Sequence, residues 1–306
     1  MKKFFAKFLF FCVFVLSASF FYAEETEEVE EISLEEEIDI QNPIMNIGVL
    51  RGMTSLPFAF MYDDNTVEKK YDFAFFSTPL DLFRQMKDGN IDAAIISAES
   101  AEKLTEKSDG QVFISSAITT MNYKIISKHS RNMILSGLAG SKVYVSGDGQ
   151  AKHLLTFLLE KNSIPVKENS GGVEIVQVEN QAELVRSFLS GKAEYVMAGE
   201  PCVQDILTHS RAARVVINLK EQYEAVCGYG KTVPETVLVI RTKMNEDYPK
   251  TVQDFTRDLE NSIERLKKKK ANAAEIAIKN DFGVSRKLCI RAIDGTDYDF
   301  YKLLNF

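Results

Sequence analysis

The side chains best suited to bond-making are few and scattered in this sequence. The three histidines, His129, His153 and His209, are widely spaced and form no metal-ligand pattern. No G-x-S-x-G elbow presents a serine nucleophile. The turn at 146–150 is shorter than a phosphate-cradling loop and lacks its lysine and hydroxyl pair. Of the four cysteines, Cys12 lies in an apolar leader, and Cys202, Cys227 and Cys289 show no C-x-x-C spacing. Small buried thiols are the plainer use for them than a zinc site or a disulfide scaffold. No catalytic residue, metal or cofactor is expected, and the chain reads as a non-enzyme.

The remaining chemistry is non-covalent capture. Ligands of open α/β sheets sit beyond the carboxyl ends of strands, where backbone N–H groups point outward. The residues at such ends are Arg51, Gly52, Thr54 and Ser55; Ser77 and Thr78; Ser97; Thr120 and Tyr123; Ser146, Gly147 and Gln150; and Gly199 and Glu200. Each has a plainer use as well. Thr54 or Ser55, and Ser77 or Thr78, cap helices, and Tyr123 packs in a connecting strand. The expected site is a ring of hydroxyls, backbone amides and one aromatic side chain. No tryptophan is available to line it.

Short apolar runs at 47–50, 72–76, 93–97, 142–146, 173–178, 195–198, 215–219 and 236–241 read as the strands that place these residues. Between them, 80–87, 151–161, 181–189 and 251–268 space their apolar residues as helices do. The alternation predicts an α/β fold with mostly parallel sheets flanked by helices. An internal echo divides it. Leu82, Arg84, Gly89 and Asp92 recur 102 positions later as Leu184, Arg186, Gly191 and Glu194, each set forming a helix, a glycine stop and a strand. Two copies predict two lobes of like construction, with 119–128 and 236–241 as the two linking strands.

The ends bound the compartment. Lys2, Lys3 and Lys7 precede an uncharged apolar run and then small residues, the order of a cleaved secretory signal over 1–23. No cysteine follows a plausible cut, so a lipoprotein is not expected. Residues 24–43 read as an acidic disordered linker, with ten carboxylates and no basic residue between Glu24 and Asp39. Without these segments acidic and basic residues balance, which gives no reason to expect nucleic-acid or membrane-surface partners. About 265 residues then remain, enough for two lobes: 44–122 plus 236–306, and 123–235.

Taken along its length, from about Asn46 onward, the chain resembles the substrate-binding proteins of ABC importers in the nitrate, sulfonate and thiamine-precursor group. The landmarks are the run from Ile47 to Pro57, Gly89 to Ala94, Val143 to Gly149, Gly199-Glu200-Pro201, and Tyr248-Pro249 opening a long helix. Asp148 and Cys202 depart from the pattern, Asp148 being an unhelpful charge for an anionic ligand. The cysteine-rich motif of relatives that make thiamine pyrimidine is absent. The resemblance implies the type II periplasmic-binding fold, with the ligand between two lobes joined by two hinge strands. It implies a periplasmic monomer that delivers a small organic nutrient, a thiamine-precursor-like pyrimidine or a sulfonate-type anion, to an ABC permease in the inner membrane. The alternative is a ligand-binding sensor or non-transport subunit of a membrane receptor.

Overall fold

The strand β1 (Met45–Leu50) lies between two parallel neighbours, β2 (Tyr71–Phe76) and β3 (Ala93–Ser97). Met45, Ile47 and Val49 alternate into the core, as a half-buried strand dictates. Gly48 is needed for the packing above. A methyl there would lie 2.3 Å from Leu82 Cδ1 and 2.9 Å from Ile91 Cγ2. Its absence lets helix α2 (Pro79–Lys87) settle on the sheet. A computed structural model describes residues 43–67, 69–129, 133–147, 149–166 and 171–302. The expected signal, nearly all of the acidic segment, and Asp148 lie outside the described residues.

The first sheet has the order β11-β4-β10-β3-β1-β2, adding β4 (Val112–Thr120), β10 (Pro234–Arg241) and β11 (Tyr298–Lys302). The second has the order β7-β6-β8-β5-β9, from β5 (Lys124–Ser127), β6 (Lys142–Ser146), β7 (Glu174–Val178), β8 (Tyr195–Ala198) and β9 (Arg214–Asn218). The α/β class is as expected, and the sheets are mixed. β2-β1-β3 and β7-β6-β8 are the parallel trios. The chain leaves the first sheet after β4 and re-enters it along β10 in the opposite sense, so β10 runs antiparallel to both its neighbours. β5 likewise enters the second sheet antiparallel to β8.

The helices between strands are α1 (Ala59–Asp64), α2, α3 (Ala98–Lys107), α4 (Gln150–Lys161), α5 (Gln181–Leu189), α6 (Cys202–His209) and α7 (Leu219–Cys227). After β10 follow α8 (Thr242–Asp247), α9 (Pro249–Lys268), α10 (Lys270–Lys279) and α11 (Arg286–Gly295). In α9 the buried residues Val252, Phe255, Leu259, Ile263 and Leu266 form one stripe with helical spacing. They join the largest core, which also holds Phe58, Ile95 and Phe282.

The internal echo is structural. In one copy Thr78 Oγ1 accepts the Asp81 N–H at 3.2 Å to start α2, and Gly89, at φ 80°, follows its end. In the other, Asn180 Oδ1 accepts the Glu183 N–H at 2.9 Å to start α5, and Gly191 sits at φ 82°. Leu82 and Leu184 are both fully buried. The fourth pair diverges. Asp92 is buried, accepts the Asn46 N–H at 2.9 Å and pairs with Arg241 at 3.1 Å, whereas Glu194 is exposed.

Two short segments cross between the sheets, 121–123 from β4 to β5 and 228–233 from α7 to β10. They run together, with Met121 N–H donating to Val233 O at 2.8 Å. The expected strand at 119–128 is therefore interrupted at the crossing, and the one expected from Thr236 begins at Pro234. Cys202, Cys227 and Cys289 are all free thiols.

Candidate ligand-binding cleft

The carboxyl ends of β1, β3, β6, β7 and β8 converge with the amino ends of β10 and β11 on one cavity of about 560 Å³. Arg51, Gly52, Thr54, Ser97, Tyr123, Ser146, Gly147, Gln150, Gly199 and Glu200 all line it.

Four other residues named from the sequence do not. Ser55 is fully buried, with its hydroxyl donating to Gly52 O at 2.6 Å. The 3₁₀ turn Met53–Phe58 points Ser55 inward while Thr54 reaches the cavity. Ser77 and Thr78 are exposed at the end of β2, an edge strand, and Thr78 is spent on capping α2. Thr120 is buried, and its neighbour Thr119 lines the cavity instead, with its hydroxyl 2.8 Å from that of Thr236 on β10. Side chains alternate along a strand, so a step of one residue exchanges the faces.

On the β1 side two backbone donors are already engaged. Arg51 N–H donates to Phe76 O at 2.9 Å and Gly52 N–H to Phe282 O at 2.7 Å. Arg51 itself pairs through Nη1 with Asp281 Oδ2 at 2.7 Å and lies over the Phe75 ring, 5.3 Å from its centroid. On the β6 side Gln150 N–H donates to Glu99 Oε2 at 3.0 Å, and Gln150 Nε2 donates to Pro234 O at 3.0 Å. Glu99 also holds Lys103 at 2.6 Å. A carboxylate from the first sheet's α3 thus occupies the start of α4 in the second.

At the end of β8, Glu200 Oε1 accepts from Lys124 Nζ at 3.2 Å and Gln204 Nε2 at 3.1 Å. Its Oε2 is buried without a hydrogen-bond partner. Gly295 packs on this carboxylate so closely that a Cβ would lie 2.2 Å from Oε1. Gly199 permits another close approach, because a Cβ there would meet Glu235 Oε1 at 3.2 Å and Tyr123 Cε1 at 3.5 Å.

Glu235 was not among the residues read from the sequence. Burial first, then the Glu200 charge, push its carboxyl up to about 7. Its signal was a lone acidic residue between Pro234 and the apolar run of β10. Tyr298 also lines the cavity, and burial raises its phenol strongly. Burial, then Asp205 and Glu200, push the Cys202 thiol up to about 12, which leaves it a poor nucleophile.

A family model described as NMT1/THI5 like matches residues 112–273, more than half of the chain. No curated protein matches it. Among solved structures, the periplasmic aliphatic sulphonate binding protein SsuA of Escherichia coli shares 13% identity at a TM-score of 0.67, over 86% of this chain and 82% of that one. An ABC transporter protein from Parabacteroides distasonis shares 15% at 0.63, over 85% and 86%. The periplasmic nitrate-binding protein NrtA of Synechocystis PCC 6803 shares 12% at 0.57, over 83% and 73%. At these identities the likeness is one of fold.

Proposed function

The chain belongs to the NMT1/THI5-like family, and on that premise we propose that it is the extracytoplasmic solute-binding component of an ABC-type importer. It captures a small organic nutrient in the cleft and delivers it to a membrane permease. The observation that carries this reading is the cavity of about 560 Å³ at convergent strand ends, walled by residues of both sheets. That volume suits a small ligand, and the placement is the usual one for open α/β sheets. The lobes 44–122 plus 236–306 and 123–235 are the bodies that close on the ligand, turning about 121–123 and 228–233. The ligand contacts come from Thr54, Thr119, Tyr123, Ser146, Gly199, Glu200 and Glu235. The resemblance offers two ligand classes, a thiamine-precursor-like pyrimidine and a sulfonate-type anion.

The leader supports export and a periplasmic address. The reading includes no covalent chemistry. A thermal-shift screen of the purified protein against sulfonates, nitrate, pyrimidines, thiamine and flavins tests it. A ligand at a hundred times its dissociation constant adds about 2.7 kcal/mol of stability. One clear hit is expected, and silence across the panel from a cooperatively melting protein removes the proposal.

A further inference from the structure

Resting on the cleft being a solute site, we infer that its ligand presents a cationic or proton-donating nitrogen to Glu235, and that sulfonates and nitrate are excluded. The charged residues lining the cavity, among those described, are Arg51, Glu179, Glu200 and Glu235. The only cation of the four is already paired with Asp281 at 2.7 Å and stacked on Phe75. Lys124, beside the cavity, is committed to Glu200 at 3.2 Å. No guanidinium or ammonium is therefore left over for an incoming anion among these groups.

The carboxylates are the groups with capacity to spare. Glu200 has a side-chain exposure of only 3%, and its Oε2 has no donor. The Glu235 carboxylate makes no hydrogen bond among the described residues, and its Oε1 faces Gly199 in the cavity wall. The buried Glu200 Oε2 without a donor is costly, and a nitrogen donor placed between the two carboxylates relieves that cost with a charge-assisted bond. An anion in the same place adds like charge in a poorly solvated site. Tyr123 and Tyr298 add aromatic surface suited to a flat cation.

Backbone amides suited to an anion are engaged as well. At the start of α4, the Gln150 N–H is taken by Glu99 at 3.0 Å. At the β1 turn the Arg51 and Gly52 amides are bonded to Phe76 and Phe282.

Calorimetric titration at pH 8 tests the inference, with thiamine, 4-aminopyrimidine and benzamidine as nitrogen probes and ethanesulfonate and nitrate as anions. The expected result is saturable binding of at least one nitrogen probe and of neither anion. Glu235→Gln then weakens that binding at least tenfold while melting no earlier than the parent. Anion binding to the parent, or undiminished nitrogen-probe binding by Glu235→Gln, overturns the charge assignment and leaves the solute-binding reading standing. So does silence from every nitrogen probe beside a hit elsewhere in the wider screen. Silence across all ligands overturns both.

Discussion

Glu99 Oε2 accepts the Gln150 backbone N–H at 3.0 Å, so a side chain following β3 caps a helix following β6. It is a bridge between the two sheets made of one charge-assisted bond at a helix start. Glu99→Ala is expected to lower the stability of the ligand-free protein by about 1–2 kcal/mol. Urea denaturation measures this, and an unchanged midpoint would show that the bridge carries no weight.

Arg51 is held by Asp281 and Phe75 and is turned from the role its strand-end position suggests. Arg51→Ala should cost about 1 kcal/mol, the scale of one partly exposed pair and one ring contact. Its ligand affinity should stay within about threefold of the parent, well under the tenfold that corresponds to about 1.4 kcal/mol. A loss of a hundredfold in titration would return Arg51 to the site.

Glu235 links stability to pH. It faces Glu200 with its partner Lys124, and Tyr123 and Tyr298 flank it. Its carboxyl titrates near 7 in the fold against an ordinary 4.5. A raised carboxyl value means that the folded state favours the protonated form. That stabilisation is complete below about 4.5 and is lost as pH rises through about 7, reaching at most about 3 kcal/mol. Melting of the ligand-free parent should therefore fall relative to Glu235→Gln between pH 5 and 8. Affinity for a nitrogen ligand should rise over the same interval, because the ionised carboxylate is the form that binds. Parallel melting curves would remove Glu235 as the linked group.

Gly295 leaves room for Glu200. Gly295→Ala places a methyl 2.2 Å from Oε1 and 2.7 Å from Cδ, so the carboxylate must leave Lys124 or the end of α11 must shift. A loss of about 1–3 kcal/mol is expected, in the range of other overpacked sites. A variant that melts with the parent would mean that the end of α11 yields freely.

The trios β2-β1-β3 and β7-β6-β8 were legible because their signals are local. Each is a short apolar run, and each echoed helix ends at a glycine that takes positive φ, Gly89 or Gly191. The turns after those strands were readable for the same reason, and Gly52, Ser97, Ser146 and Gly199 do border the cavity. What escaped depends on contacts between distant parts of the chain. Asp281, 230 residues from Arg51, neutralises it, and no local pattern announces that pairing. Glu235 and Tyr298 reach the cavity on strands returning antiparallel from other parts of the chain. Thr119 and Thr120, like Thr54 and Ser55, are adjacent hydroxyls. A single step of register or of a 3₁₀ turn decides which one meets the cleft.

The most direct measurement is a crystal structure of the protein with its tightest ligand, read as the distance from the ligand's nearest nitrogen to the Glu235 carboxylate. A bond of about 2.7–3.0 Å is predicted, with Glu99 still on the Gln150 N–H. A ligand oxyanion seated on the Gln150 amide with Glu99 displaced, or a ligand bound outside the cleft, would contradict it.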